Sequence, residues 1–98
     1  MQKLKLVTII AEAVLEERLL RELRQLGARG YTLVMARGEG TRGVHASNWE
    51  GPNLRIETLV SPEVAERIMA YIADHYFADY AVIVYSMDAE VIRGEKYL

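Results

Sequence analysis

An α+β fold, βαββαβ in element order, is what the sequence predicts: a ferredoxin-like sandwich with one antiparallel sheet. Three observations carry it. Two stretches show the 3.6-residue apolar period of helices, β-prone apolar runs fall before, between and after them, and turn and cap residues sit at the joints. At 98 residues a single domain, 1–98, is expected, near the small end of what one core sustains.

The first strand is Leu4 to Ile10, rich in Leu, Val, Ile and Thr and too short for an isolated helix. From Val14 the period changes. Leu15, Leu19, Leu23 and Leu26 recur at helical spacing, while Glu16, Glu17, Arg18, Arg21, Glu22 and Arg24 make a solvated face. Within that face Glu17 and Arg21 form an i,i+4 pair of favourable order. Gly27 and Gly30 close the helix, and Tyr31 to Ala36 is the second strand. The third strand, Leu54 to Val60, alternates Leu54 and Ile56 with Arg55 and Glu57. Ser61-Pro62-Glu63 starts the second helix with an N-cap, a proline at N1 and an acid in the first turn. Its buried stripe is Val64, Ile68, Ile72 and Tyr76, flanked by Ala65 and Met69. Ala81 to Tyr85 forms the fourth strand and Val91-Ile92 a short fifth piece.

With both helices on one side of the sheet, the other face needs a cover, because the first, second and fourth strands are apolar on both faces. A second copy of the sheet is the simplest cover, which predicts a closed homo-oligomer. Arg55 and Glu57 must then pair across that face or sit at its rim.

Composition narrows the function. A net charge of −2 argues against binding nucleic acid through the overall field, and the first and third strands lack the aromatics that stack RNA bases in this fold. The absence of cysteine excludes disulfides and thiolate metal sites, and no apolar run approaches the roughly 20 residues of a membrane helix. The first residues lead into a strand pattern without a cleavage signal, so a cytoplasmic protein is expected.

The joint between the second and third strands is long enough to be functional. Arg37 and Arg42 stand among Gly38, Gly40 and Gly43, where free backbone N–H groups and two guanidinium forks make an anion cradle. Gly38-x-Gly40-x-x-Gly43 also spells a dinucleotide fingerprint, but Val44 to Asn53 has no helical period and carries Gly51-Pro52, so that site is rejected. Trp49, a lone indole in a polar loop, is the candidate partner anchor. Catalysis has less to stand on, and a small ferredoxin-like enzyme or nucleotide hydrolase is the alternative class. His45 lies in a loop, His75 at a helix end, and Glu12, Glu57 and Asp79 are not spaced as a metal motif, so no metal and no catalytic residues are predicted.

Four stretches together carry a resemblance: Gly27-Ala-Arg-Gly30-Tyr-Thr32, Gly38-Glu-Gly40-Thr-Arg42-Gly-Val, His75-Tyr-Phe-Ala-Asp79-Tyr80-Ala and Ala89-Glu90-Val91-Ile92. With the element order they resemble the signal-transducing PII superfamily, and within it the SbtB-type and carboxysome-associated PII-like proteins linked to bicarbonate uptake. That resemblance implies a PII-like homotrimer with adenine nucleotides in the clefts between subunits. It also implies a T-loop, about residues 38–53, that contacts a partner, here a membrane bicarbonate transporter of a carbon concentrating mechanism that would recruit the protein to the membrane. Matched by position, Gly40, Thr41 and Arg42 hold phosphate, Gly38 turns the chain there, Thr32 and Arg37 line the approach, and backbone at Ala81 and Val82 meets adenine. His45 stands where close relatives often carry a second arginine, and holds phosphate less firmly when neutral. PII proteins proper wrap the outer phosphates of ATP with a Gly/Lys-rich segment. Tyr76 to Tyr80 has no lysine, which points to AMP, ADP or cyclic AMP, with bicarbonate as a possible co-ligand. The Cys-Gly-Pro ending of several SbtB-type proteins is also missing, so redox control by that tail does not carry over.

Overall fold

The computed structural model of the protein describes residues 1–38 and 52–98. They form β1 (Gln2–Glu12), a 3-10 turn (Ala13–Leu15), α1 (Glu16–Leu26), β2 (Thr32–Ala36), β3 (Asn53–Val60), α2 (Pro62–Tyr76), β4 (Ile83–Val91) and a closing 3-10 turn (Gly94–Tyr97). The strands make one antiparallel sheet in the order β2-β3-β1-β4, which is the ferredoxin-like sandwich expected.

Register decides which side chains face the helices. Val7, Ile9 and Ala11 lie opposite Thr58, Ile56 and Leu54, and all six are buried. The five apolar ones pack with Leu15, Leu19 and Leu23 from the first helical segment and Ala65, Ile68, Ile72 and Tyr76 from α2 into one core. The alternate positions form the other face. There Val34, Ile83, Tyr85 and Met87 are exposed, which fits a surface that needs a cover. Arg55 and Glu57 share this face and turn toward each other along β3, Nη2 to Oε1 3.9 Å.

The helix ends follow local chemistry. Ser61 Oγ accepts from the Val64 N–H at 3.3 Å, satisfying one of the four orphan donors at the start of α2. At the end of α1, Gly27 takes φ +119°, and the N–H of Ala28 reaches back to the Leu23 carbonyl at 3.0 Å.

Three expectations are corrected. β1 is longer than its apolar run, because Gln2 and Lys3 are paired with Val91 and Glu90, and Glu12 with Asn53. The ladder, not residue propensity, sets those ends. The fourth strand starts at Ile83 rather than Ala81, since the Val82 N–H folds back to the Tyr80 carbonyl at 3.1 Å, and it runs unbroken to Val91. Val91 is therefore the end of β4, not a fifth piece, and Ser86 and Asp88 pair within it opposite Val7 and Lys5. Finally, Glu22 is not part of a solvated face: it accepts from the hydroxyls of Tyr71, at 2.5 Å, and Tyr76, with Arg18 3.6 Å away. The i,i+4 pair found on α1 is thus Arg18 with Glu22, not Glu17 with Arg21.

Candidate functional site

The expected site residues that are described fall in three places. Arg37 and Gly38 follow Ala36 where β2 ends, at one edge of the sheet, and both are exposed. Ala81 and Val82 precede β4 at the opposite edge but the same end, since Ile83 pairs with Ile10, and Ala36 and Glu12 both pair with Asn53. With two strands between them, those edges are about 14 Å apart at the usual 4.7–4.9 Å per strand. Gly40, Thr41, Arg42, His45 and Trp49 lie outside the described residues.

Buried polar groups organise that end. Glu12, 1% exposed, accepts from the Ala81 N–H at 3.3 Å, and the Ala13 N–H donates to the Pro52 carbonyl at 3.0 Å. The N–H groups of Ala81 and Val82 are thus both already donated, to Glu12 and to Tyr80. Any contact of this segment with a base falls to its carbonyl oxygens, which accept and so favour an exocyclic amine.

Thr32 is elsewhere. It begins β2, five residues before Arg37 and so about 16 Å away along a strand. There it lines a cleft of about 430 Å³ on the open face of the sheet, over Leu6, Glu57 and Leu59. Tyr31 borders it on the same side, and the Thr58 hydroxyl donates to the Gly30 carbonyl at 2.6 Å to pin the chain entering β2. The far wall is the closing turn, through Lys96 and Tyr97.

Sequence reasoning did not find this cleft. Glu57 stood out as a charge on a covered face and as one of three carboxylates without metal-motif spacing, and 94–98 only as the place where a familiar tail motif is absent. The available signal was the register: Thr32 lies opposite Glu57, which puts both on one face.

His75 behaves as a helix-end residue, its ring stacked on Tyr71 with centroids 3.9 Å apart and its Nδ1 3.0 Å from the Tyr71 carbonyl. Among the described residues no three His, Asp or Glu side chains gather to hold a metal ion. No helix among them is long and apolar enough to cross a membrane.

The profile of the family Nitrogen regulatory protein P-II matches residues 4–96. A protein of Thermus thermophilus, described as PII-like and signaling, is 55% identical, with a TM-score of 0.85 over 98% of this chain and 96% of that one. CPII of Thiomonas intermedia, solved with ADP and bicarbonate, is 24% identical and superposes with a TM-score of 0.83 over 99% of this chain and 96% of its own. The same protein solved with ADP, AMP and bicarbonate gives 0.77 over 94% and 96%.

Proposed function

The chain belongs to the Nitrogen regulatory protein P-II family, and from that premise we propose that it is a homotrimeric regulator that senses adenine nucleotides between its subunits. The observation that carries this is the separation of the site residues. Thr32 and its cleft lie at the far end of β2 from Arg37, so one copy does not close around a small ligand with both. A closed ring sets the cleft of one copy against the loop-bearing end of the next.

In that arrangement Gly40, Thr41 and Arg42 hold phosphate, with Arg37 and Gly38 at the approach and His45 as a weaker second donor. The carbonyls of Ala81 and Val82 accept the exocyclic amine of adenine, which guanine does not offer at the same position. AMP, ADP or cyclic AMP is the effector and bicarbonate a second ligand, in keeping with the ADP, AMP and bicarbonate bound by CPII. The role is regulatory, not catalytic. Residues 38–53 serve as the T-loop, with Trp49 buried by the partner. By its resemblance to SbtB-type proteins, that partner is a membrane bicarbonate transporter, reached from the cytoplasm.

Calorimetry with AMP, ADP, ATP and cyclic AMP, each with and without bicarbonate, tests the reading. A charge-assisted hydrogen bond contributes about 1.5–3 kcal/mol, so Arg42→Ala weakens the preferred nucleotide roughly ten- to a hundredfold. Unchanged affinity for all four in that variant would remove Arg42 from the site.

A further inference from the structure

Among the described residues Glu12 is the only fully buried carboxylate, 1% exposed. Glutamate is seldom enclosed unless it is bonded to something, and an apolar side chain would fill the same place at lower cost. The register explains what it is bonded to. Ile10 pairs with Ile83, so continuing the β1–β4 ladder by two residues on each strand sets Glu12 against Ala81. The ladder stops short of that pair, because the Val82 N–H turns back to the Tyr80 carbonyl at 3.1 Å. The Glu12 side chain takes the place of the missing rung, its Oε2 accepting from the Ala81 N–H at 3.3 Å. On the other flank the Glu12 backbone is paired with Asn53 of β3. An inner strand of the sheet therefore sets the carboxylate, and strands hold such groups more closely than loops do.

That hydrogen bond decides what the segment before β4 can recognise. With the Ala81 and Val82 N–H groups both donated, it presents a base with oxygen acceptors only. A 6-aminopurine answers them with the N–H of its exocyclic amine. A 6-oxopurine puts a carbonyl oxygen at the same place, and two acceptors then face each other with no proton between them. Without the Glu12 carboxylate, the Ala81 N–H could donate to that oxygen and the discrimination would fall.

We infer that Glu12 is a specificity-determining residue for the base of the ligand: by occupying the Ala81 N–H, it makes the segment select a 6-amino over a 6-oxo purine nucleotide. It exerts this through Ala81, which makes it a positioning residue. The inference rests on the proposed contact of adenine with Ala81 and Val82.

The experiment is calorimetry of the full chain with AMP and IMP, which share sugar and phosphate and differ in the C6 amine against a C6 carbonyl. Wild type should prefer AMP by about tenfold, the loss expected where one hydrogen bond goes unmet. Glu12→Leu and Glu12→Ala remove the acceptor and should bring that ratio towards one. Glu12→Gln keeps an acceptor oxygen and should keep the wild-type ratio. A role in stability alone would weaken both nucleotides by the same factor, so an unchanged ratio in folded Glu12→Leu or Glu12→Ala overturns the inference. A ratio lost to the same extent in Glu12→Gln also overturns it, and so does a wild type that binds AMP and IMP alike, a result that needs no variant to fold. Wild type binding neither nucleotide overturns instead the nucleotide site itself.

Discussion

Glu22 carries a buried-side carboxylate whose partners come from the other helix. Burial opposes its ionisation, but hydrogen bonds from Tyr71 and Tyr76 and the charge of Arg18 outweigh that and hold its carboxyl below the ordinary value of 4.5. Burial and the same carboxylate push the Tyr76 phenol well up, so it stays a donor throughout the physiological range. Arg18 also lies over the Tyr76 ring, 4.4 Å from its centroid. Because Tyr76 is fully buried, Glu22→Ala strands its hydroxyl, and the expected loss is about 1–3 kcal/mol in urea unfolding. A depressed folded value means Glu22 adds stability above the ordinary carboxylate range, and that contribution is lost as pH falls through the folded value. Glu22→Gln should therefore flatten the acid limb of the stability profile below pH 4.5; an unchanged limb would assign the acid sensitivity to other carboxylates. The sequence did not reveal the partners of this site, because they lie 49 and 54 residues away. The only local signal was that Arg18 and Glu22 flank the Leu15, Leu19, Leu23 stripe instead of lying opposite it.

Elements with their own punctuation were legible, and those defined by partners were not. α2 was readable from Ser61-Pro62-Glu63 at one end and the Ile68, Ile72, Tyr76 stripe along it, because capping and amphipathicity are local properties. Replacing Ser61 by Ala should cost about 1 kcal/mol in thermal or denaturant unfolding, and no loss would mean another acceptor satisfies the Val64 N–H. Gly27 was equally readable as a helix end. Gly27→Ala should cost more than a cap, since φ is +119° and the new Cβ would sit 3.2 Å from a Val64 methyl. The strands tell the opposite story. Ala81-Val82 looked like strand because it is apolar, yet its N–H groups are spent on Glu12 and Tyr80, while polar Ser86 and Asp88 belong to β4 because β1 supplies their partners. The closing turn was illegible for a similar reason, since its place depends on the fit of Gly94 against Gln2 at the other end of the chain.

At the scale of the whole molecule, the exposed sheet face and the proposed division of the ligand site between copies make one demand. Val34, Ile83, Tyr85 and Met87 leave apolar surface open on the face opposite the helices, and burying an aliphatic side chain contributes about 1.5–3 kcal/mol. In the proposed ring of copies that surface is removed from water, and the Thr32 cleft of one copy would meet the Arg37 end of another. Association and nucleotide binding are therefore expected to fail together. Tyr85→Glu with Met87→Glu leaves the helix-facing core untouched, because both side chains are exposed in the single chain, but sets two carboxylates into a face that must lose its water. Light scattering behind size exclusion should show the wild type as a trimer and the double variant as a folded monomer, with circular dichroism unchanged. Calorimetry should then find the monomer unable to bind AMP or ADP at concentrations that saturate the trimer. A folded monomer that binds either nucleotide with wild-type affinity would mean that one copy completes the site and that the cleft and the glycine loop act on different ligands.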